Sequence, residues 1–353
     1  MSSDRQPSPA TARASRYGWV DVAKGICIVA VVCLYARKEI SHLLGDAGWL
    51  QGWVAFARPF RMPDFFLLSG LFLGAVITRP WRSYLDTKVV HYVYFLVLWV
   101  ALVHGYEWAF RPDFAGHDDS PVRALRRYVY YLYQPDHMLW FIQTLPLYFV
   151  VTRLLNRLPA LALVALAAVV TVARPSTGFA PLDNFCQYYV YFVLGYCGAQ
   201  HIFAYADLVA AHKRMVAGLL LAWVALNAWA VNAGWTTSAA GALVFGLLGI
   251  AAIVACSRLV ADVQGLGVLR FLGANSIVVY LGFFIPLHAV TAAYAATGWT
   301  FNIHMVATVI VALSIAAPVL LFVATRNTGL RLLFARPAWA HLVAPRSRVP
   351  AAA

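Results

Sequence analysis

Three side chains capable of chemistry interrupt one long apolar run near the N-terminus, WVDVAKGICIVAVVCLYARKE: Asp21, Lys24 and Tyr35. Asp21 and Lys24 are three residues apart, which puts them on one helical face and within pairing reach. Tyr35 follows Lys24 by eleven residues, almost three turns, so the two share a face about 16 Å apart along the axis. An amine and a phenol on one face of a buried helix can hold an anion, polarise a carbonyl or position a hydroxyl. A plainer role fits the same residues: an interfacial pair with a snorkelling lysine, and a tyrosine of the opposite aromatic belt.

Further polar residues punctuate later apolar runs. RPFRMPDFFLLSGLFLG carries Arg61, Asp64 and Ser69. Pro63 there can open a helix, Asp64 suits the dipole of a first turn, and Ser69-Gly70 allows close helix approach. DHMLWFIQTLPLY carries Asp136 as an N-cap, with His137 and Trp140 one turn apart. FLGANSIVVYLGFF carries Asn275, Ser276 and Tyr280, for which bonding between helices is the plain alternative. Arg79, Arg82 and Lys88 form a basic cluster that suits phosphate groups, or serves only as topology charge.

The elements that must position these residues are membrane helices. Of 353 residues 62% are apolar or aromatic and 12% are charged, against about 45–50% and about 25% in soluble domains. One core could not hide that much apolar surface, whereas a bilayer accepts it. The net charge of +13 is spread in short clusters between apolar runs, so nucleic acid is not an expected partner. The five cysteines share no metal-ligand spacing, and no metal is expected. Runs of about 20 apolar residues place ten spans near 19–36, 62–78, 88–106, 138–156, 159–174, 184–201, 215–232, 237–257, 273–296 and 303–325. The fold class is therefore all-α, a polytopic membrane bundle of about ten transmembrane helices.

Arginine and lysine set the orientation, with both termini cytoplasmic. Residues 1–15 read as a disordered cytoplasmic tail, 16–336 as the transmembrane domain and 337–353 as a second cytoplasmic tail. Two outer connections break the charge rule. One, 37–61, holds Arg37, Lys38, Arg58 and Arg61; the other, 107–137, holds Arg111, Arg123, Arg126 and Arg127. Basic residues that topology does not favour are candidates for holding an anionic or sugar substrate.

In their order, WVDVAKGICIVAVV, MPDFFLLSGLFLG, LWFIQTLPLYF, YFVLGYCGA and LGANSIVVYL resemble the acyltransferase family 3 proteins over about residues 16–325. That resemblance implies a ten-helix enzyme of the bacterial inner membrane. Such an enzyme moves an acyl group, often acetyl, from cytoplasmic acyl-CoA to an extracytoplasmic carbohydrate or glycolipid hydroxyl. It implies catalytic roles for Lys24, Tyr35 and Asp21, and substrate contacts from Arg61, Asp64, Ser69, His137, Trp140, Asn275, Ser276 and Tyr280. Donor contacts fall to Arg79, Arg82 and Lys88. The family's first helix carries a basic residue and, eleven positions on, a histidine; Lys24 matches the first and Tyr35 stands at the second. A histidine has a pKa near 6.5 and a tyrosine near 10, so the phenol is a poor base at neutral pH. Three outcomes stay open. In one, the base comes from elsewhere, with His42 or His137 the candidates, or Tyr35 serves as a positioning hydroxyl. In the second, the fold is kept without the chemistry, as a binding, export or regulatory membrane protein. In the third, the missing histidine is particular to this chain, a natural variant or an inactivating change. The sequence sets no oligomeric state.

Overall fold

The computed structural model describes residues 9–110, 120–134, 138–261, 263 and 265–343. Asp136, His137, the first eight residues and the last ten lie outside the described residues. Among those described there is no strand. The helices are α1 (Pro9–Leu44), α2 (Leu50–Ala57), α3 (Arg61–Gly70), α4 (Trp81–Phe110), α5 (Pro121–Tyr133), α6 (Trp140–Leu154), α7 (Ala160–Ala173) and α8 (Ala180–Cys197). They continue as α9 (Ala199–Ala211), α10 (Lys213–Asn232), α11 (Ala239–Val260), α12 (Gly267–Ala274), α13 (Ser276–Gly282), α14 (Phe284–Thr297) and α15 (Ile303–Thr325).

Each expected span contains helix, but the helices differ in length and two of the spans are not continuous. Gly18–Leu44, Trp81–Phe110, Lys213–Asn232, Ala239–Val260 and Ile303–Thr325 are each long and apolar enough to cross a bilayer, and α13 with α14 makes a sixth, bent by 50°. The others are shorter or more polar: α7 has 14 residues, a rise of about 21 Å against a hydrocarbon core of about 30 Å. The ninth expected run is broken because Pro286 lacks an N–H and its ring crowds the Gly282 carbonyl four residues back. The second run was expected to continue to residue 78. Its helix stops at Gly70 and passes into a 3₁₀ turn at Leu73–Ala75, where Gly70 and Gly74 weaken helix propagation.

Two close helix crossings hold the site's walls together. On α1, a Cβ at Gly25 would run into the Leu269 carbonyl of α12, while a Cβ at Gly273 of α12 would run into the Asp21 carbonyl. The same reciprocal contact joins α3 to α8, with Gly70 against the Phe192 carbonyl and Gly195 against the Leu67 carbonyl. In lipid there is no hydrophobic force between helices, so backbone approach through small residues is what packs them. The close approach expected of Ser69-Gly70 is this second crossing.

The C-terminal segment folds back on the bundle. Arg336 makes a two-pronged bond to Asp86 at 3.2 and 3.1 Å, His341 stands 3.4 Å from the same carboxylate, and the Leu342 N–H donates to it at 2.7 Å. Asp86 opens a π-helical turn, Asp86–Val90, within α4. Two residues on, Lys88 faces the opposite way, into the interior described next.

Candidate functional site

A cavity of about 410 Å³ runs through the bundle along α1. One stripe of α1, Lys24, Val31, Tyr35 and Lys38, forms its length; the spacings of seven, four and three are those of one helical face. From α3 come Arg61, Phe65, Leu68 and Ser69, and from α4 Lys88 and Tyr92. Trp140, Phe141 and Leu145 of α6, Tyr188 of α8, and Ser276 and Tyr280 of α13 complete the walls.

Among the described residues four cations line this cavity, Lys24, Lys38, Arg61 and Lys88, and no carboxylate does. They divide by position. Lys24 and Lys88 are electrostatic neighbours at one end, and Lys38 and Arg61 at the other. Fourteen residues of α1 separate Lys24 from Lys38, about 21 Å. Arg61 is buried, and its Nε and Nη1 have no hydrogen-bond partner. A guanidinium with unspent donors in a closed space is costly unless an anion completes it.

Aromatic groups fill the stretch between the two ends. Tyr35 lies against Phe283 at 5.5 Å between ring centroids, with the Lys38 Nζ 5.4 Å from the centre of its ring. The Trp140 indole is the hydrogen-bonding neighbour of the Tyr35 hydroxyl. Trp140 also packs on Tyr188 at 5.7 Å, and the Tyr280 hydroxyl donates to the Met138 carbonyl. Ser69 spends its hydroxyl on the Phe65 carbonyl at 2.7 Å, inside its own helix. At the other end the Lys88 Nζ sits 4.5 Å from the centre of the Phe149 ring.

The remaining sequence candidates lie elsewhere. Asp21 is not a wall of the cavity, and among the described residues it forms no ion pair with Lys24. Asp64 sits in the first turn of α3 without capping it; its carboxylate is buried behind the cavity with Oδ2 unpartnered. Asn275 turns back to donate to the Phe271 carbonyl at 2.9 Å. Arg79 and Arg82 are exposed and do not line this cavity, because the chain leaves it after Phe72 and re-enters at Lys88; Arg79 stays an electrostatic neighbour of Lys88. His42 is exposed at the far end of α1. No histidine among the described residues lines the cavity. His288 is engaged apart from it, 2.8 Å from the Tyr106 hydroxyl and 3.7 Å from a Glu39 oxygen.

Sequence reasoning missed Tyr92 and Tyr188. Lys38, marked there only as a basic residue that topology does not favour, continues the Lys24–Tyr35 stripe by one turn. The two tyrosines carry no sequence signal among eighteen of their kind.

A family described as an acyltransferase domain, Acyl_transf_3, matches residues 17–323. Inner membrane protein YcfT of Escherichia coli is 24% identical over 296 residues, covering 74% of this chain and 77% of that protein. Nodulation protein NolL of Sinorhizobium fredii is 25% identical over 200 residues, covering 56% of this chain and 52% of that protein. No solved structure matches the chain.

Proposed function

The chain belongs to the acyltransferase family 3 of membrane proteins, and from that premise we propose that it transfers an acyl group, acetyl in the first instance, from acyl-CoA to a hydroxyl of a carbohydrate or glycolipid acceptor. The single observation that carries this reading is the α1 cavity, with cations at both ends and no carboxylate on its walls among the described residues. A donor that carries phosphates and a thioester needs positive charge at its entrance and an apolar passage for its acyl arm. Lys24 and Lys88 supply the first, and the aromatic stretch between them and Tyr35 supplies the second. With the N-terminus cytoplasmic, that entrance faces the cytoplasm of a bacterial inner membrane, and the Lys38–Arg61 end faces the acceptor. Both chain termini are cytoplasmic in this topology.

In the transfer step the acceptor oxygen forms a bond to the acyl carbon, the carbon–sulfur bond breaks, and the hydroxyl proton ends on the departing thiolate. Charge builds on the acyl oxygen in between, and stabilising it is where a site gains most. Tyr35 accepts from Trp140 and keeps its own proton to donate, so it acts as a positioning hydroxyl rather than as a base. Arg61, with two unspent N–H groups, adds positive charge at the same end.

The lack of a cavity histidine among the described residues favours one other reading, a family fold that binds or exports its ligand without transferring an acyl group. An acyl-CoA transfer and hydrolysis assay on the wild type beside Tyr35→His separates the two. Wild-type turnover supports transfer, and turnover that appears only in Tyr35→His supports lost chemistry.

A further inference from the structure

Beside the acceptor end of the cavity lies a second opening, of about 230 Å³, whose walls include Arg58, Arg174, Gln187, Tyr188, Tyr191 and Thr236. Tyr188 is a wall of both openings, so the two spaces adjoin through one side chain. Arg58 follows α2, Arg174 follows α7 and Thr236 follows α10, so three separate connections on one face of the bundle meet here.

Among the described residues the pocket holds two arginines and no acidic residue. Asp183 is not a wall of the pocket, and its Oδ1 accepts from the Thr177 N–H at 2.9 Å and the Thr177 hydroxyl at 2.8 Å. Asp64 lies in the bundle behind Tyr191 and is not a wall of the pocket. The Arg174 Nε is buried and has no hydrogen-bond partner. Gln187 donates to the Tyr188 hydroxyl at 3.0 Å, which leaves the phenolic proton available to an acceptor in either opening.

The backbone adds a second sign. Arg174 is the C-cap of α7 with φ 39° and ψ 61°, and it is the one described non-glycine residue with positive φ. That position favours glycine or asparagine, since a Cβ there costs about 1–2 kcal/mol. Such strain persists where surrounding structure imposes it, and it gathers at functional positions. Here arginine brings a guanidinium that glycine lacks, and Arg174 lines the pocket.

We propose that the Arg58–Arg174 pocket is an oxyanion subsite for the acceptor, which therefore carries a carboxylate or phosphate close to the hydroxyl that receives the acyl group. This deepens the acyl-transfer reading and rests on it for the word acceptor; the anion site itself does not depend on transfer. Arginine suits the role because its planar fork meets a carboxylate or phosphate with two parallel bonds. Tyr188 and Arg61 then bridge from the anion to the reacting end of the cavity.

The test is a titration of the full chain, in phosphatidylcholine nanodiscs without acyl donor, with trigalacturonate and with neutral galactotriose. Trigalacturonate binds at least tenfold more tightly, and the difference disappears in Arg174→Gly and survives in part in Arg174→Lys. Glycine takes a positive φ without strain, so Arg174→Gly melts at or above the wild-type temperature, and lost binding is not lost folding. Equal affinity for the acidic and neutral sugars overturns the proposal, as does an acid preference that outlasts Arg174→Gly combined with Arg58→Gln. A change seen only in the retention of phosphatidylglycerol, with trigalacturonate unaffected, gives the pocket to a lipid headgroup and also overturns it. Charge-selective binding without any acyl transfer removes the transfer reading and leaves the subsite. Transfer to acidic and neutral sugars alike, without charge-selective binding, does the reverse.

Discussion

Replacing Arg61 with methionine separates the cost of holding a charge in this bundle from its use. The side chain is buried, its Nε and Nη1 meet no partner, and it lines the cavity near Lys38. Without a ligand, a desolvated cation of this kind is a burden. Exchanging buried ionic groups for apolar ones of similar volume is neutral or stabilising by about 1–4 kcal/mol. Methionine keeps the length of the chain and leaves no protein acceptor orphaned, so Arg61→Met unfolds at the wild-type temperature or above. With an anion in place, each charge-assisted hydrogen bond contributes about 1.5–3 kcal/mol. Losing one therefore lowers affinity, or kcat/KM for transfer, by roughly ten- to a hundredfold, at tenfold per 1.4 kcal/mol. Thermal unfolding in detergent and a transfer assay with the same preparation read both quantities. A melting temperature several degrees lower together with unchanged kcat/KM would refute the reasoning, for then Arg61 holds the fold and not a ligand.

Three other expectations follow from the packing and the topology. Gly70→Ala places a methyl against the Phe192 carbonyl and forces α3 from α8, costing on the order of 1–3 kcal/mol. Gly105→Ala in α4 meets nothing within 4 Å and stabilises by up to about 1 kcal/mol, so equal melting temperatures for the two variants would contradict the crossing. Asp86→Asn leaves the Arg336 guanidinium, 5% exposed, without its counter-ion, at a cost of about 3–5 kcal/mol for an unpaired buried charge. Limited proteolysis should then cut the segment around His341, and unaltered protection would show that the clamp is not what holds it. Reporter fusions at Gly234 read outside and fusions after Arg348 read inside; an outside C-terminus would require an odd number of crossings.

Much of the site was legible where one helix supplies it. The face shared by Lys24 and Tyr35 follows from helical periodicity alone, and both line the cavity. Arg61, Ser69, Trp140, Ser276 and Tyr280 were marked by polarity or by position at a helix start, and they join the same walls. What failed depended on chain direction between helices. Arg79 and Arg82 looked equivalent to Lys88, yet the early stop of α3 and the π turn of α4 leave only Lys88 facing inward. Asp64, in the same turn as Arg61, is not a wall of the cavity and lies near Cys27 and Tyr191 instead. The break at Phe283 was present in the sequence as Pro286, and was read as part of a continuous run. Of the Arg58–Arg174 pocket only Arg58 carried a signal, as a basic residue that topology does not favour; the rest did not, since its parts come from three connections far apart in the chain.

The most direct measurement of the account is thiol release from acetyl-CoA supplied to the cytoplasmic face of proteoliposomes, for the wild type, Lys24→Ala and Tyr35→Phe. The account predicts acceptor-dependent release by the wild type and its loss in a folded Lys24→Ala. It also predicts a fall of about ten- to a thousandfold in Tyr35→Phe, the range for removing one preorganised donor. No release by the wild type, with release restored by Tyr35→His, would contradict it and leave a binding protein in the fold of an enzyme.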